Sequence, residues 1–131
     1  EDKGDLNNAI KTYEDALKSS PSSNILQDLF ISSSYKMAQE YAQKEMLSEE
    51  VDYYNKIITV LPDHQETPFM RGNMALKEKN VKKAIQYFTE YIEKNPQGNY
   101  AIEASQLLET LQPNNLLKFL SRIKGLWGRD A

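Results

Sequence analysis

The chain of 131 residues contains no cysteine. Disulfide bridges, thiolate metal sites and cysteine nucleophiles are therefore excluded. The absence fits a reducing compartment and leaves an oxidising one open.

Long hydrophobic runs are also missing. No window of 18 residues is apolar throughout, so no transmembrane helix is predicted. No signal-peptide pattern is visible, and we predict a cytoplasmic protein, with peripheral membrane association as the alternative. The chain starts at Glu1, in the middle of a repeat, which indicates a fragment or processed form of a longer protein.

Groups for catalysis are scarce. His64 is the only histidine, and it falls in a predicted turn, where a solvated polar role is expected. Neighbouring acids such as Glu14 and Asp15 point about 100° apart on a helix, so they form no shared acid–base site. Phosphate loops and metal-binding spacings are absent. We predict no enzyme activity, no cofactor, no metal and no small-molecule substrate.

Charge is distributed unevenly. Residues 1–66 hold 13 acidic and 6 basic side chains, or −7, whereas residues 67–131 hold 6 and 10, or +4. This pattern fits an ordinary solvated surface, or a bipolar molecule that stacks head to tail or steers a charged partner. The densest basic cluster, Lys77 to Lys83, has no interleaved aromatics and the pI is near 5.2, so nucleic acid is not predicted as a partner.

Glycine and proline number only five each and fall between periodic segments. Two of those segments share one spacing, in which an alanine is followed by an aromatic at plus four, a packing position at plus seven and a proline at plus twelve. The residues are Ala84, Phe88, Tyr91 and Pro96 in one segment, and Ala9, Tyr13, Ala16 and Pro21 in the other. Such a recurrence predicts a solenoid of helical hairpins, a class that mostly binds other proteins.

The spacing resembles the tetratricopeptide repeat, a helix–turn–helix unit of about 34 residues. In that family small residues stand where the two helices cross, here Gly72 and Ala84. The best match is residues 65–96, and residues 4–21 match the second half of a unit. Residues 25–62 also match, but their first helix is about half a dozen residues too long. Residues 99–111 look like a lone first helix. The resemblance implies an all-α right-handed superhelix of about three hairpins, the first incomplete, over residues 1–112.

The pattern of apolar residues and caps predicts seven helices and no sheet. Asn24, Ser48, Thr67 and Asn80 are the expected N-caps. The helices are expected at about 5–19, 25–46, 49–61, 68–79, 81–94, 100–111 and 115–127.

The last predicted helix, in residues 113–131, is amphipathic and basic. Its apolar side chains fall within an arc of roughly 120°, with Lys118, Arg122 and Arg129 opposite. Three interpretations compete: a helix that caps the solenoid, a helix that lies on an anionic membrane, or a helix that docks on another protein or a second copy. The contact residues would be Leu116, Phe119, Leu120, Ile123, Leu126 and Trp127.

The resemblance also implies a groove lined by the first helices, in which a peptide or partner helix binds. The implied groove positions are Leu29, Ser33, Lys36, Met37, Glu40, Phe69, Asn73, Leu76, Lys77, Glu103 and Gln106. Asn73 and Lys77 resemble part of a carboxylate clamp, but the looser unit lacks the rest, so an amphipathic peptide is expected. The predicted function is a protein-binding adaptor or scaffold.

Self-association is a further hypothesis. If Glu1 is the true start, the first helix lacks its hairpin partner, and its stripe of Leu6, Ile10, Tyr13 and Leu17 then needs cover. The second helix supplies part of that cover, and a neighbouring chain could supply the rest.

Overall fold

A computed structural model describes residues 3–112, which form six α-helices and no strand within that range. The predicted seventh helix lies outside the described residues. The six are α1 (Lys3–Ser19), α2 (Asn24–Gln43), α3 (Leu47–Val60), α4 (Thr67–Lys77), α5 (Val81–Lys94) and α6 (Ala101–Leu111). Each packs on its neighbours in the chain, so the described part is a helical repeat, as predicted.

The helix ends differ from the sequence-based prediction by a few residues. Asn80 caps α5 as predicted, with its side-chain oxygen accepting the Lys83 N–H at 3.1 Å. Ser23, not Asn24, caps α2, because its hydroxyl accepts the Leu26 N–H. Ser48 is already inside α3, and Met46 precedes that helix without a side-chain cap bond.

The turns from α2 to α3 and from α4 to α5 share one geometry. Glu45 and Lys79 both adopt positive φ, 56° and 61°. The next residue in each turn donates its N–H back into the helix, Met46 to Tyr41 and Asn80 to Ala75, both at 2.9 Å. Because residues 45 and 79 are 34 positions apart, the two turns mark one structural period.

The ends of α3 and α5 repeat at the same interval. Leu61 and Asn95 close these helices with nearly equal backbone angles, φ −130° and −136°. Residues 33–66 and 67–100 are therefore equivalent units. Helix α2 has 20 residues and α4 has 11, so α2 begins nine residues before its unit does. We call residues 24–32 the α2 extension.

The core runs along the stack of helices. Phe30, Met37, Ile57, Phe69 and Phe88 are among its fully buried side chains. Gly72 lies against the Phe88 ring, as the predicted helix crossing requires.

The apolar stripe of α1 is covered within the chain. Leu6, Ile10 and Leu17 are buried, and Tyr13 packs on the core while half-buried. Cover from a neighbouring chain is therefore not needed at this stripe.

Candidate protein-binding face

The first helices of the successive units, α2, α4 and α6, come together around one aromatic side chain. The Tyr35 ring of α2 lies 5.6 Å from the Phe69 ring of α4 and 5.0 Å from the Tyr100 ring, which directly precedes α6. The Tyr35 hydroxyl donates a hydrogen bond to Glu103 of α6. The three helices that the resemblance assigned to a groove therefore meet. We call their common surface the first-helix face.

The predicted groove residues differ widely in exposure. Leu29, at 39% exposed, is on the surface together with Lys36 and Gln106. Ser33, Glu40, Leu76, Lys77 and Glu103 are half-buried. Met37 and Phe69 are fully buried and Asn73 is 8% exposed, so these three offer a partner almost no surface here.

Asn73 and Lys77, which resembled part of a clamp, are held by internal bonds. The Asn73 side-chain amide donates to the Phe69 carbonyl at 3.2 Å. The Lys77 ammonium lies 3.3 Å from the carboxylate of Glu50, which is buried and also accepts the Tyr54 hydroxyl at 2.9 Å. Lys77 therefore neutralises a buried acid, a role that leaves less of its charge for a ligand.

The 34-residue period identifies positions equivalent to Asn73 and Lys77 that the sequence-based prediction missed. Counting back 34 from Asn73 and Lys77 gives Gln39 and Gln43, both exposed on α2. Their counterparts on α6 are Leu107 and Leu111. The signal was present in the sequence, but the positions predicted on α2 lie six residues before the 34-residue equivalents of those predicted on α4.

Most exposed side chains of α2 form one stripe. Because an α-helix turns about 100° per residue, its members fall within an arc of about 100°. They are Ile25, Asp28, Leu29, Ser32, Lys36, Gln39 and Gln43, and Ile25 is 73% exposed. The first four belong to the α2 extension, so the added turns of α2 lengthen this stripe.

A chain of buried polar groups connects the turn before α4 to the start of α6. The Tyr91 hydroxyl donates to the buried carboxylate of Glu66 and accepts the Tyr100 N–H at 3.0 Å. His64 was expected to be solvated, but its side chain is only 11% exposed, and its Nδ1 accepts the Glu66 N–H at 3.0 Å. The imidazole therefore acts as a structural acceptor in the turn.

Burial and neighbouring carboxylates raise the pKa of several tyrosines above the usual value of 10. For Tyr35, Tyr54 and Tyr91, burial is the largest cause of the raised pKa. The next cause is the carboxylate beside each hydroxyl, which acts through its hydrogen bond or its charge; these are Glu103, Glu50 and Glu66, respectively. Burial, followed by the charges of Glu66, Glu103 and Asp28, raises the pKa of Tyr100 to about 12. These phenols remain protonated well into alkaline solution.

Alkaline pH is therefore expected to destabilise the fold. Below pH 10 the phenols are protonated in both states; above it the unfolded chain loses these protons while the folded chain keeps them, so stability falls as pH rises. Each such tyrosine contributes at most about 1.4 kcal/mol per pH unit. Urea midpoints measured from pH 8 to 11.5 should decline above pH 10, and more gently in Tyr100→Phe. A midpoint that stays level to pH 11.5 contradicts the assignment.

Residues 3–112 hold neither a metal-binding cluster nor a membrane-spanning helix. Among residues 3–112, no group of three or more His, Cys, Asp or Glu side chains is placed to hold a metal ion. None of the six described helices combines the length and the apolar character needed to cross a bilayer.

Helices of two equivalent 34-residue units, joined by matching turns, define a helical-repeat protein. Two family models, both described as tetratricopeptide repeat, match the chain at residues 1–23 and 69–98. No curated protein matches it. The chain thus contains tetratricopeptide repeats. Such repeats generally mediate protein–protein interaction and are typically non-catalytic.

Proposed function

We propose that this protein is a non-catalytic adaptor that binds a peptide or partner helix on its first-helix face. The observation that carries the proposal is the exposed α2 stripe beside the junction of α2, α4 and α6 at Tyr35. Helical repeats use extended surfaces of this kind to hold partner segments.

The chemistry of the stripe favours an amphipathic partner segment. Ile25 and Leu29 present apolar surface, whereas Ser32, Lys36 and Gln39 present hydrogen-bonding groups or charge. Apolar contacts supply affinity while satisfied polar contacts fix register. A partner with apolar residues at three- and four-residue intervals, interrupted by polar ones, would match both parts.

Binding should be lost when the stripe is changed without disturbing the core. The double variant Leu29→Glu, Gln39→Lys alters two exposed positions of α2. The matched control, Val81→Glu, Gln86→Lys, makes the same kinds of change at exposed positions of α5. Affinity capture from a lysate of the source organism, read out by mass spectrometry, should recover partners with wild type and control, and lose them with the stripe variant.

Circular dichroism must first show that both variants are as helical and as stable as wild type. Partners retained equally by the stripe variant would overturn binding at this face. Both variants avoid Phe69, Asn73 and Lys77, because these side chains are engaged in the core or in internal bonds.

A second candidate function rests on the sequence of residues 114–129, which lie outside the described residues. Their apolar arc, including Phe119 and Trp127, with basic residues opposite, is typical of a helix that binds an anionic membrane or assembles with other chains. Retention of partners by the stripe variant would favour this alternative.

A further inference from the structure

Arg71 lies beside a polar cleft on the far side of α4 from the first-helix face. It precedes Asn73 by two residues, which is a step of about 200° around the helix. The cleft has a volume of about 390 Å³ and lies between the turn before α4 and the last turn of α5. Its walls include Pro62, His64, Pro68, Tyr87 and Lys94.

The Arg71 guanidinium has hydrogen-bonding capacity to spare. It is half-buried, and its Nη2 donates to the Pro62 carbonyl at 3.2 Å. Within residues 3–112, no carboxylate forms an ion pair with it. Because a guanidinium carries five N–H donors in a planar fork, an incoming carboxylate can bind it through two parallel hydrogen bonds.

The other charged side chains of the cleft are two acids and one lysine, which sum to −1. Lys94 lies 3.4 Å from Glu90, and Asp63 stands at the rim as an exposed acid. These two acids would repel a doubly charged phosphate more strongly than a singly charged carboxylate. The planar fork of Arg71 and the nearby acids therefore favour a carboxylate over a phosphate as the ligand of this cleft.

Apolar surface beside Arg71 gives the rest of such a ligand a place to lie. Arg71 and Tyr87 also line a second cavity, of about 150 Å³, together with Ile58, Met74 and Lys83. The two cavities thus adjoin along α4, with the Tyr87 ring in the wall of both.

We propose that the Arg71 cleft is a second binding site, which takes a carboxylate of a peptide beside an aromatic or apolar side chain. The carboxylate is either the free carboxyl terminus of the peptide or an Asp or Glu side chain. This site lies apart from the first-helix face, so a negative result at either site leaves the proposal for the other site unaffected.

The test follows the Nε–Hε signal of Arg71 by NMR in the full chain, which has only three arginines. N-acetyl-Ala-Tyr supplies a terminal carboxylate, N-acetyl-Glu-Tyr-amide a side-chain carboxylate, and N-acetyl-Ala-Tyr-amide none. At least one of the two acids should shift the Arg71 signal saturably, together with backbone amides of residues 62–71 and 87–95, and the uncharged amide should not. Which acid binds tells the two carboxylate sources apart.

Two substitutions separate recognition from mere charge. Arg71→Lys keeps the charge but loses the fork and should weaken binding about tenfold, and Arg71→Gln should abolish it. Lys82→Gln, at an exposed position of α5 that lines neither cavity, should bind as wild type. Circular dichroism checks that each variant is folded.

Three results would overturn the proposal. They are no saturable shift with either acid, equal binding of the uncharged amide, or undiminished binding by folded Arg71→Gln. Tighter binding of phenyl phosphate than of both acids would overturn the preference for a carboxylate.

Discussion

Replacing Phe69 with alanine is expected to lower the free energy of unfolding by about 4 kcal/mol, the largest loss we expect from one substitution. The Phe69 side chain is fully buried and its ring contacts those of Tyr35, Phe88, Tyr91 and Tyr100. Truncation removes the centre of this aromatic cluster and leaves a cavity that the stacked helices cannot close. Urea denaturation followed by circular dichroism measures the loss.

Two controls make that result interpretable. Phe69→Leu retains most of the volume and should cost less than half as much. Leu29→Ala removes an exposed apolar side chain of α2 and should cost under about 1 kcal/mol. If Phe69→Ala is no more destabilising than Leu29→Ala, Phe69 is not a core residue and its assignment to a binding surface regains support.

Replacing Gly72 with alanine is expected to cost about 3 kcal/mol, although alanine is ordinarily the better helix former. A Cβ at this position would lie 2.5 Å from Cε1 and 2.7 Å from Cδ1 of Phe88. The Phe88 ring is fully buried, so it cannot turn aside without moving its neighbours. Thermal unfolding should show a melting temperature roughly 10 °C lower.

The matched substitution is Gly4→Ala, at an exposed position of α1. It should leave stability unchanged or raise it by up to about 1 kcal/mol, because helix propensity alone acts there. Equal effects of the two substitutions would show that α4 and α5 do not cross as closely as the structure indicates.

The helices and their pairing were predictable because their causes are local in sequence. Apolar spacing set the buried sides of α1 to α6, and Asn80 set the start of α5. The crossing at Gly72 and Ala84 followed from small residues in the expected places, since Ala84 is also fully buried. The family models overlap two of the segments in which the sequence showed its repeat spacing.

The surface of the first helices was less predictable because exposure depends on which helices meet. Phe69 and Met37 looked like groove residues from their register, but the aromatic contacts of α4 and the packing of α2 bury them. His64 looked like a solvated turn residue because its acceptor bond to the Glu66 N–H is visible only in the folded turn.

The 34-residue period is visible in the spacing of Pro62 and Pro96, but the turns from α2 to α3 and from α4 to α5 carry no such sequence mark. Their common feature is the positive φ of Glu45 and Lys79, neither of which is the glycine that this backbone region favours. The match of Gln39 to Asn73 therefore became clear only from the structure. The sequence indicated that the first helix of the looser unit, residues 25–62, is unusually long. It did not indicate which residues of that helix are the added ones.

Site-specific photo-crosslinking tests the central claim, recognition of a partner on the first-helix face, most directly. Benzoylphenylalanine would replace Gln39 on α2 and, as the control, Gln86 on α5, both exposed. After irradiation in lysate, we expect a covalent adduct with a partner protein from position 39 and none from position 86. Adducts from position 86 alone, or equal adducts from both, would contradict recognition on this face.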